Sequence, residues 1–287
     1  MKNTFYLETP ANFSFRQTVN SHGWSELLPF ELDNENLTLR YVFTNYQNSL
    51  VSATISETDG KLKIEIDGNI KSDEKILRDV RHILQLDEDL SKFYKILKSE
   101  KRLAWVAEKS AGRLLRSPTV FEDLVKTICT TNCSWSLTKI MVKNLVEKLG
   151  SEQRAFPTAE QMASVSPDFY RDEIRAGYRS TYFAELAEKV ANGKVNPETW
   201  LNSALPTKEL KKEMKSIKGV GDYAAENLLK LVGRYDGLAL DSFLRGGFYK
   251  KHNGGTACND KEIELFYEKF GDWRGLAIWC DMTERWF

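Results

Sequence analysis

The residues best suited to chemistry in this 287-residue chain lie between Ile217 and Arg245. Two helical patterns are joined there by Ile217-Lys218-Gly219-Val220-Gly221. Two glycines around one apolar residue let the backbone turn sharply and leave its N–H groups unobstructed. At the start of a helix such groups make a phosphate site, with Val220 expected to plug the core beneath. Lys208, Lys211, Lys212, Lys215 and Lys218 crowd the same region and would supply local positive charge. About 20 residues beyond Gly221 an apolar run, Leu238-Ala239-Leu240, ends in Asp241 and opens Ser242-Phe243-Leu244-Arg245. Asp241 can be a plain N-cap, and the helix dipole would keep it ionised. A fixed carboxylate is also what glycosidic cleavage needs, to stabilise an oxocarbenium-like sugar and to orient or deprotonate water. The hairpin alone is equally compatible with an ordinary αα-corner; Asp241 is what tips the reading towards catalysis.

The elements that must hold these residues follow from hydrophobic period. Strand-like alternation runs through 37–43, through Val51, Ala53 and Ile55, and through Leu62, Ile64 and Ile66, with Asp59-Gly60 as a hairpin turn. From about Ser72 the period becomes helical: Leu77, Val80, Ile83 and Leu84, then Leu90, Phe93, Tyr94 and Leu97. Thr119 and Glu122 read as a capping box that opens a helix with Phe121, Leu124, Val125 and Ile128 on its core face. Further helices carry Leu137 to Leu149, ending at Gly150, and Phe183 to Val190, ending before Gly193. The predicted fold class is α+β: a small antiparallel β domain over 1–72, then an all-α, two-lobed body over 73–287, with the helix–hairpin–helix at about 208–233.

Composition narrows the partners. Lys plus Arg number 41 and Asp plus Glu 41, so any nucleic-acid surface must be a local patch. No stretch has the apolar length of a membrane span or the pattern of a signal peptide, which predicts an intracellular protein. Cys129, Cys133, Cys258 and Cys280 match no zinc or iron–sulfur spacing and read as free thiols.

The segment Ile217–Arg245 resembles the helix–hairpin–helix, Gly/Pro-loop and Asp signature of the DNA glycosylase superfamily that includes the 3-methyladenine and 8-oxoguanine glycosylases. Other stretches extend the resemblance. Leu114-Leu115-Arg116, leading to Ile128-Cys129-Thr130-Thr131-Asn132, resembles the element that inserts an Asn where the flipped base stood. Ala176-Gly177-Tyr178-Arg179-Ser180-Thr181-Tyr182 is similar to a Gly-Tyr-Arg wedge. Phe13-Ser14-Phe15-Arg16 and the stretch from Gly271 to Trp279 resemble the β domain and the closing helix. The resemblance implies an N-glycosyl hydrolase of base-excision repair acting on double-stranded DNA with a damaged base, as a monomer. It would work in the nucleoid of a bacterium or the nucleus of a eukaryote. Asp241 would be catalytic, and Lys218, Gly219, Val220, Gly221, Asn132, Tyr178 and Arg179 would bind DNA. Asn132 is equally readable as a helix C-cap.

Two departures refine the expectation. Where bifunctional members carry a nucleophilic Lys, two residues after the last hairpin glycine, this chain has Tyr223. Neither Lys218 nor Lys230 replaces it by position, so a water-using, monofunctional enzyme with Tyr223 lining the base pocket is expected. Ser242-Phe243-Leu244-Arg245 is closer to the alkylation-repair pattern, and Asn12 stands where the 8-oxoguanine branch has a lesion-reading glycine. Alkylated purines are therefore favoured over an 8-oxoguanine-type activity, with or without lyase chemistry; a non-catalytic DNA-binding module is the remaining alternative. No metal or organic cofactor is expected, beyond a place for an alkali ion at the hairpin carbonyls.

Overall fold

A computed structural model describes residues 2–44, 50–68 and 74–286. Its first layer is a five-stranded antiparallel sheet in the order β1-β5-β4-β3-β2. The strands are β1 (Lys2–Glu8), β2 (Glu31–Asp33), β3 (Thr38–Thr44), β4 (Leu50–Thr58) and β5 (Lys61–Asp67). Val51, Ala53 and Ile55 pack with Leu62, Ile64 and Ile66 on the buried face, as period-two alternation requires. Asp59 and Gly60 both take positive φ, 49° and 73°, which closes β4 on β5 in two residues. The predicted domain boundary at 72/73 lies outside the described residues.

Helices follow from α1 (Phe15–Val19), inserted between β1 and β2 and capped by Ser14. After the sheet come α2 (Glu74–Ile83), α3 (Ser91–Leu97), α4 (Ala104–Glu108), α5 (Val120–Thr130) and α6 (Trp135–Leu149). Short α7 (Ala159–Ala163) and α8 (Pro167–Asp172) lead to α9 (Ser180–Ala191), α10 (Thr207–Lys215) and α11 (Asp222–Leu231). The chain closes with α12 (Ser242–His252), α13 (Asp260–Tyr267) and α14 (Arg274–Thr283). α5 packs on α6 and α11, α10 on α11, and α7 and α8 on α9. α14 packs on α12 and α13, and also touches the 101–103 turn that leads into α4. The architecture is α+β, a five-stranded antiparallel sheet with a helical body.

At the centre, α5 is buried from Val120 to Cys129 on every face. Its charged residues are tolerated because each finds a partner, whereas the buried Thr127 hydroxyl has none among the described residues. Tyr41 of β3 donates to Glu122 at 2.6 Å, and Glu122 pairs with Lys126 at 2.6 Å. Trp24 Nε1 donates to Asp123 at 2.7 Å. This network corrects the capping-box reading. Thr119 does accept the Glu122 N–H, but the Glu122 carboxylate turns into the core instead of reaching back. The helix start is held by Glu198, which accepts from Val120 N–H at 3.1 Å and Phe121 N–H at 3.0 Å.

Candidate active site and nucleic-acid groove

The hairpin forms as its sequence dictates. Gly219 sits at φ 93°, a conformation costly for a residue with Cβ, and a Cβ there would meet the Tyr182 ring at 2.7 Å. Gly221 is the N-cap of α11, and no side chain caps this helix. First-turn N–H groups are thus left for solvent or a ligand. Val220 is buried as expected, and its own N–H already bonds Ile217 O at 3.0 Å. Val220 therefore anchors the turn, and the flanking glycines present the open backbone. The lysine cluster is less free than its sequence suggests. Lys211 pairs with Glu226 and Asp222, and Lys215 with Asp222, whereas Lys218 is exposed and 3.8 Å from Glu185.

Asp241 caps α12, accepting the Leu244 N–H at 2.8 Å. The loop before it is pinned from α11. Glu226 accepts the N–H of Ala239, which is held at φ 54°, and Lys230 Nζ donates to Leu238 O at 3.0 Å. A non-glycine residue at positive φ two residues from a carboxylate marks a loop fixed by its surroundings.

Two cavities meet at this loop. The first, of about 810 Å³, is walled by His22, Trp24, Trp135, Tyr223, Lys230 and Trp279, among others. The second, of about 820 Å³, is an open groove lined by Asn132, Tyr178, the hairpin 217–221 and Arg245. Asp241, Tyr223, Thr130 and Cys133 belong to both. The expected catalytic residue, the pocket tyrosine and the groove residues are thus brought together, with Asp241 at the threshold. Tyr223 hydrogen-bonds Thr130, and burial together with the Asp241 charge raises its phenol above the usual value, so it stays neutral.

Opposite the hairpin, Tyr178 is 52% exposed and Asn132 is exposed just past the α5 C-cap, at φ 45°. Asn132 Nδ2 lies 3.5 Å from the Tyr178 hydroxyl. Asn132 is thus both a left-handed helix-end residue and an accessible side chain, so the two readings coexist. Arg179 requires correction. It is 3% exposed, donates to Ile128 O at 3.1 Å and Thr131 Oγ1 at 3.2 Å, and stacks 4.4 Å beneath the Tyr178 ring. It braces the α5 C-terminus and the tyrosine from below and does not face the groove as a DNA contact.

Several wall residues escaped the sequence reading. His22, Gly23 and Trp24 arrive from the β unit, and Trp279 from α14. Lys230 lies on the α11 face that carries Tyr223 and Asn227, spaced four and three residues apart, and that spacing was a usable signal. Asn12 is not among the described wall residues; its carbonyl accepts from Arg113 at 2.7 Å. Among the described residues no His, Cys, Asp and Glu cluster is arranged to hold a metal, and no helix is long and apolar enough to cross a membrane.

The fold is shared with solved structures of DNA glycosylases, and sequence comparison finds distant relatives that carry that name. The chain is 25% identical over 164 residues to the DNA-3-methyladenine glycosylase of Bacillus subtilis (strain 168), covering 54% of each. It is 25% identical over 156 residues to the Saccharomyces cerevisiae N-glycosylase/DNA lyase, covering 49% of this chain and 41% of that one. The chain thus spans about half the length of the curated relatives it matches. The 3-methyladenine DNA glycosylase of Archaeoglobus fulgidus superposes with a TM-score of 0.75 at 18% identity, over 99% of this chain and 98% of that one. The apo 8-oxoguanine glycosylase/lyase of Clostridium acetobutylicum gives 0.74 at 19%, over 98% and 96%. No family model matches the chain. The sequence relatives are thus a DNA-3-methyladenine glycosylase and an N-glycosylase/DNA lyase, and the structural neighbours a 3-methyladenine and an 8-oxoguanine glycosylase, in keeping with the resemblance drawn from the motifs.

Proposed function

We propose that this chain is a DNA glycosylase that hydrolyses the N-glycosidic bond of a damaged purine flipped out of a duplex. The carrying observation is the position of Asp241, an N-cap carboxylate at the junction of an aromatic-walled cavity and the groove lined by the hairpin. In this reading the hairpin glycines and Lys218 grip a backbone phosphate, and Tyr178 and Asn132 fill the space the base leaves. The base enters the cavity past Tyr223. As the C1′–N bond lengthens, Asp241 faces the developing sugar cation and takes a proton from the attacking water. The enzyme would act as a monomer.

Tyr223 stands where a lyase would need its amine, so water is the proposed nucleophile. Borohydride should then trap no covalent complex with DNA; a cross-link would assign an amine instead, with Lys230 the first candidate. Phe243 beside Asp241 and the aromatic walls suit an alkylated purine. A second reading, an oxidised purine of the 8-oxoguanine type, is favoured by one observation, the buried amine of Lys230 in the cavity wall. Base release from duplexes carrying either lesion tests both. Release by the wild type that is lost in Asp241→Asn supports the reading, and equal release by both proteins rejects it.

A further inference from the structure

Lys230 is 2% exposed and lines the cavity into which a flipped base would pass. It sits seven residues after Tyr223 on the same helix face, about 10 Å deeper along the helix axis. One of its N–H donors goes to Leu238 O at 3.0 Å, and its Nζ lies 6.0 Å from the Trp279 ring centroid. Among the described residues no other hydrogen-bond acceptor of Nζ is present, while an ammonium has three donors. Burial of such a group without a full set of partners is expensive, so a cation retained here needs a use. The titratable groups around it are Glu226 on α11, Asp241 at the start of α12 and Cys280 on α14, whose thiol burial pushes up to about 12 and so keeps neutral. Glu226 is already engaged by Lys211 and Ala239. His22, in the same wall, adds no second charge. Burial holds its pKa near 4, and its ring bonds Leu115 O at 2.7 Å.

We propose that Lys230 is the leaving-group residue of this site, so that the pocket favours lesions that are neutral before cleavage. The inference rests on the glycosylase reading and goes beyond it to the class of substrate. When the glycosidic bond breaks, its electron pair stays with the base. A neutral base departs as an anion, whereas a cationic N-alkyl purine departs neutral. The Lys230 ammonium, hydrogen-bonded to an acceptor on the far edge of the base, stabilises the first and opposes the entry of the second. The proton that Asp241 takes from water balances the one the base anion acquires, giving sugar hydroxyl and neutral free base. This moves the preference from the cationic alkylated purines, which the motifs and the aromatic walls suit, to the second reading given above, a lesion that is neutral before cleavage.

The test is single-turnover base release from duplexes carrying hypoxanthine, 8-oxoguanine or 7-methylguanine, with wild type and Lys230→Met. With release run below neutral pH, the first two bases are neutral and the third is cationic. In Lys230→Met the ratio of neutral to cationic release should fall about 100-fold, the size of a general-acid contribution. A merely structural role, through the Leu238 carbonyl, would lower all three together and leave the ratio unmoved, which overturns the proposal. If the variant does not fold, pH profiles decide. Burial lowers the lysine to about 8, so release of hypoxanthine and 8-oxoguanine should decline above that pH in the wild type and hold level in Lys230→Arg, whose guanidinium does not titrate there. Parallel profiles overturn the inference, as does release of 7-methylguanine alone. Release of none of the three would sink the glycosylase reading, and this inference with it.

Discussion

Asp241, Tyr178 and Arg179 illustrate three fates of a polar residue near a groove. Asp241 is tied to the Leu244 N–H, and an asparagine would keep that cap. Asp241→Asn should therefore fold normally and bind lesion duplexes, yet lose at least about a thousand-fold in base release. A variant that turns over normally would remove Asp241 from the mechanism. Tyr178 presents its ring to solvent because Arg179 supports it from the core side. Arg179→Ala strips a guanidinium from the Ile128 carbonyl and the Thr131 hydroxyl, and should cost about 2 kcal/mol of stability in the free protein. Denaturant unfolding measures this directly. A direct DNA contact would instead leave the unfolding midpoint unchanged and weaken only binding.

The helix–hairpin–helix separates the duties of its two glycines. Gly219 lies at positive φ against Tyr182, so Gly219→Ala should destabilise the fold by about 1–2 kcal/mol. Gly221 has an ordinary φ of −88° and open space where a Cβ would stand. Gly221→Ala should leave the melting temperature unaltered while weakening binding to damaged and undamaged duplexes alike, since a phosphate grip carries no sequence information. Titration of both duplex types checks this; unchanged affinity would show that the hairpin backbone is not the grip. The same helix also orders the loop that leads into Asp241. Glu226 and Lys230, one turn apart on α11, hold Ala239 and Leu238 just before Asp241.

Across the whole molecule, the aromatic-walled cavity exists only because the sheet unit docks on the helical body. Its walls come from residues 20–34, 114–138, 223–244 and 279–286. Docking is fixed by Tyr41–Glu122–Lys126 and by Trp24–Asp123. Glu122→Ala would leave Lys126 buried and unpaired and should cost about 3–5 kcal/mol, measurable by denaturant unfolding. Acid sensitivity is built in as well. Burial lowers His22 and His82 to about 4, below their unfolded value. Their contribution to stability is thus complete above about pH 6.5 and is lost as pH falls towards 4. Burial raises Asp123 to about 7, and it acts with the opposite sign over that window. His82→Gln should therefore flatten the loss of stability between about pH 6.5 and 4 relative to wild type. Identical pH profiles would contradict the assignment.

What the chain determines by itself is whatever depends on neighbours in sequence. The Asp59-Gly60 turn, the alternation of β4 and β5, the glycine hairpin and the Asp241 cap all follow from backbone requirements satisfied within a few residues. What failed from sequence depended on burial. Thr119 and Glu122 have the spacing of a capping box, yet a tyrosine 81 residues away and a lysine one turn on claim the carboxylate. Arg179 reads as a surface cation and lies in the core, and the lysines 211 and 215 read as a free patch but meet carboxylates of α11. Lys230 lies too far along the chain from the hairpin to stand in for the missing amine by position. Only the packed structure turns that helix face into the cavity beside Asp241, because helix geometry fixes which residues share a face while packing fixes what the face meets.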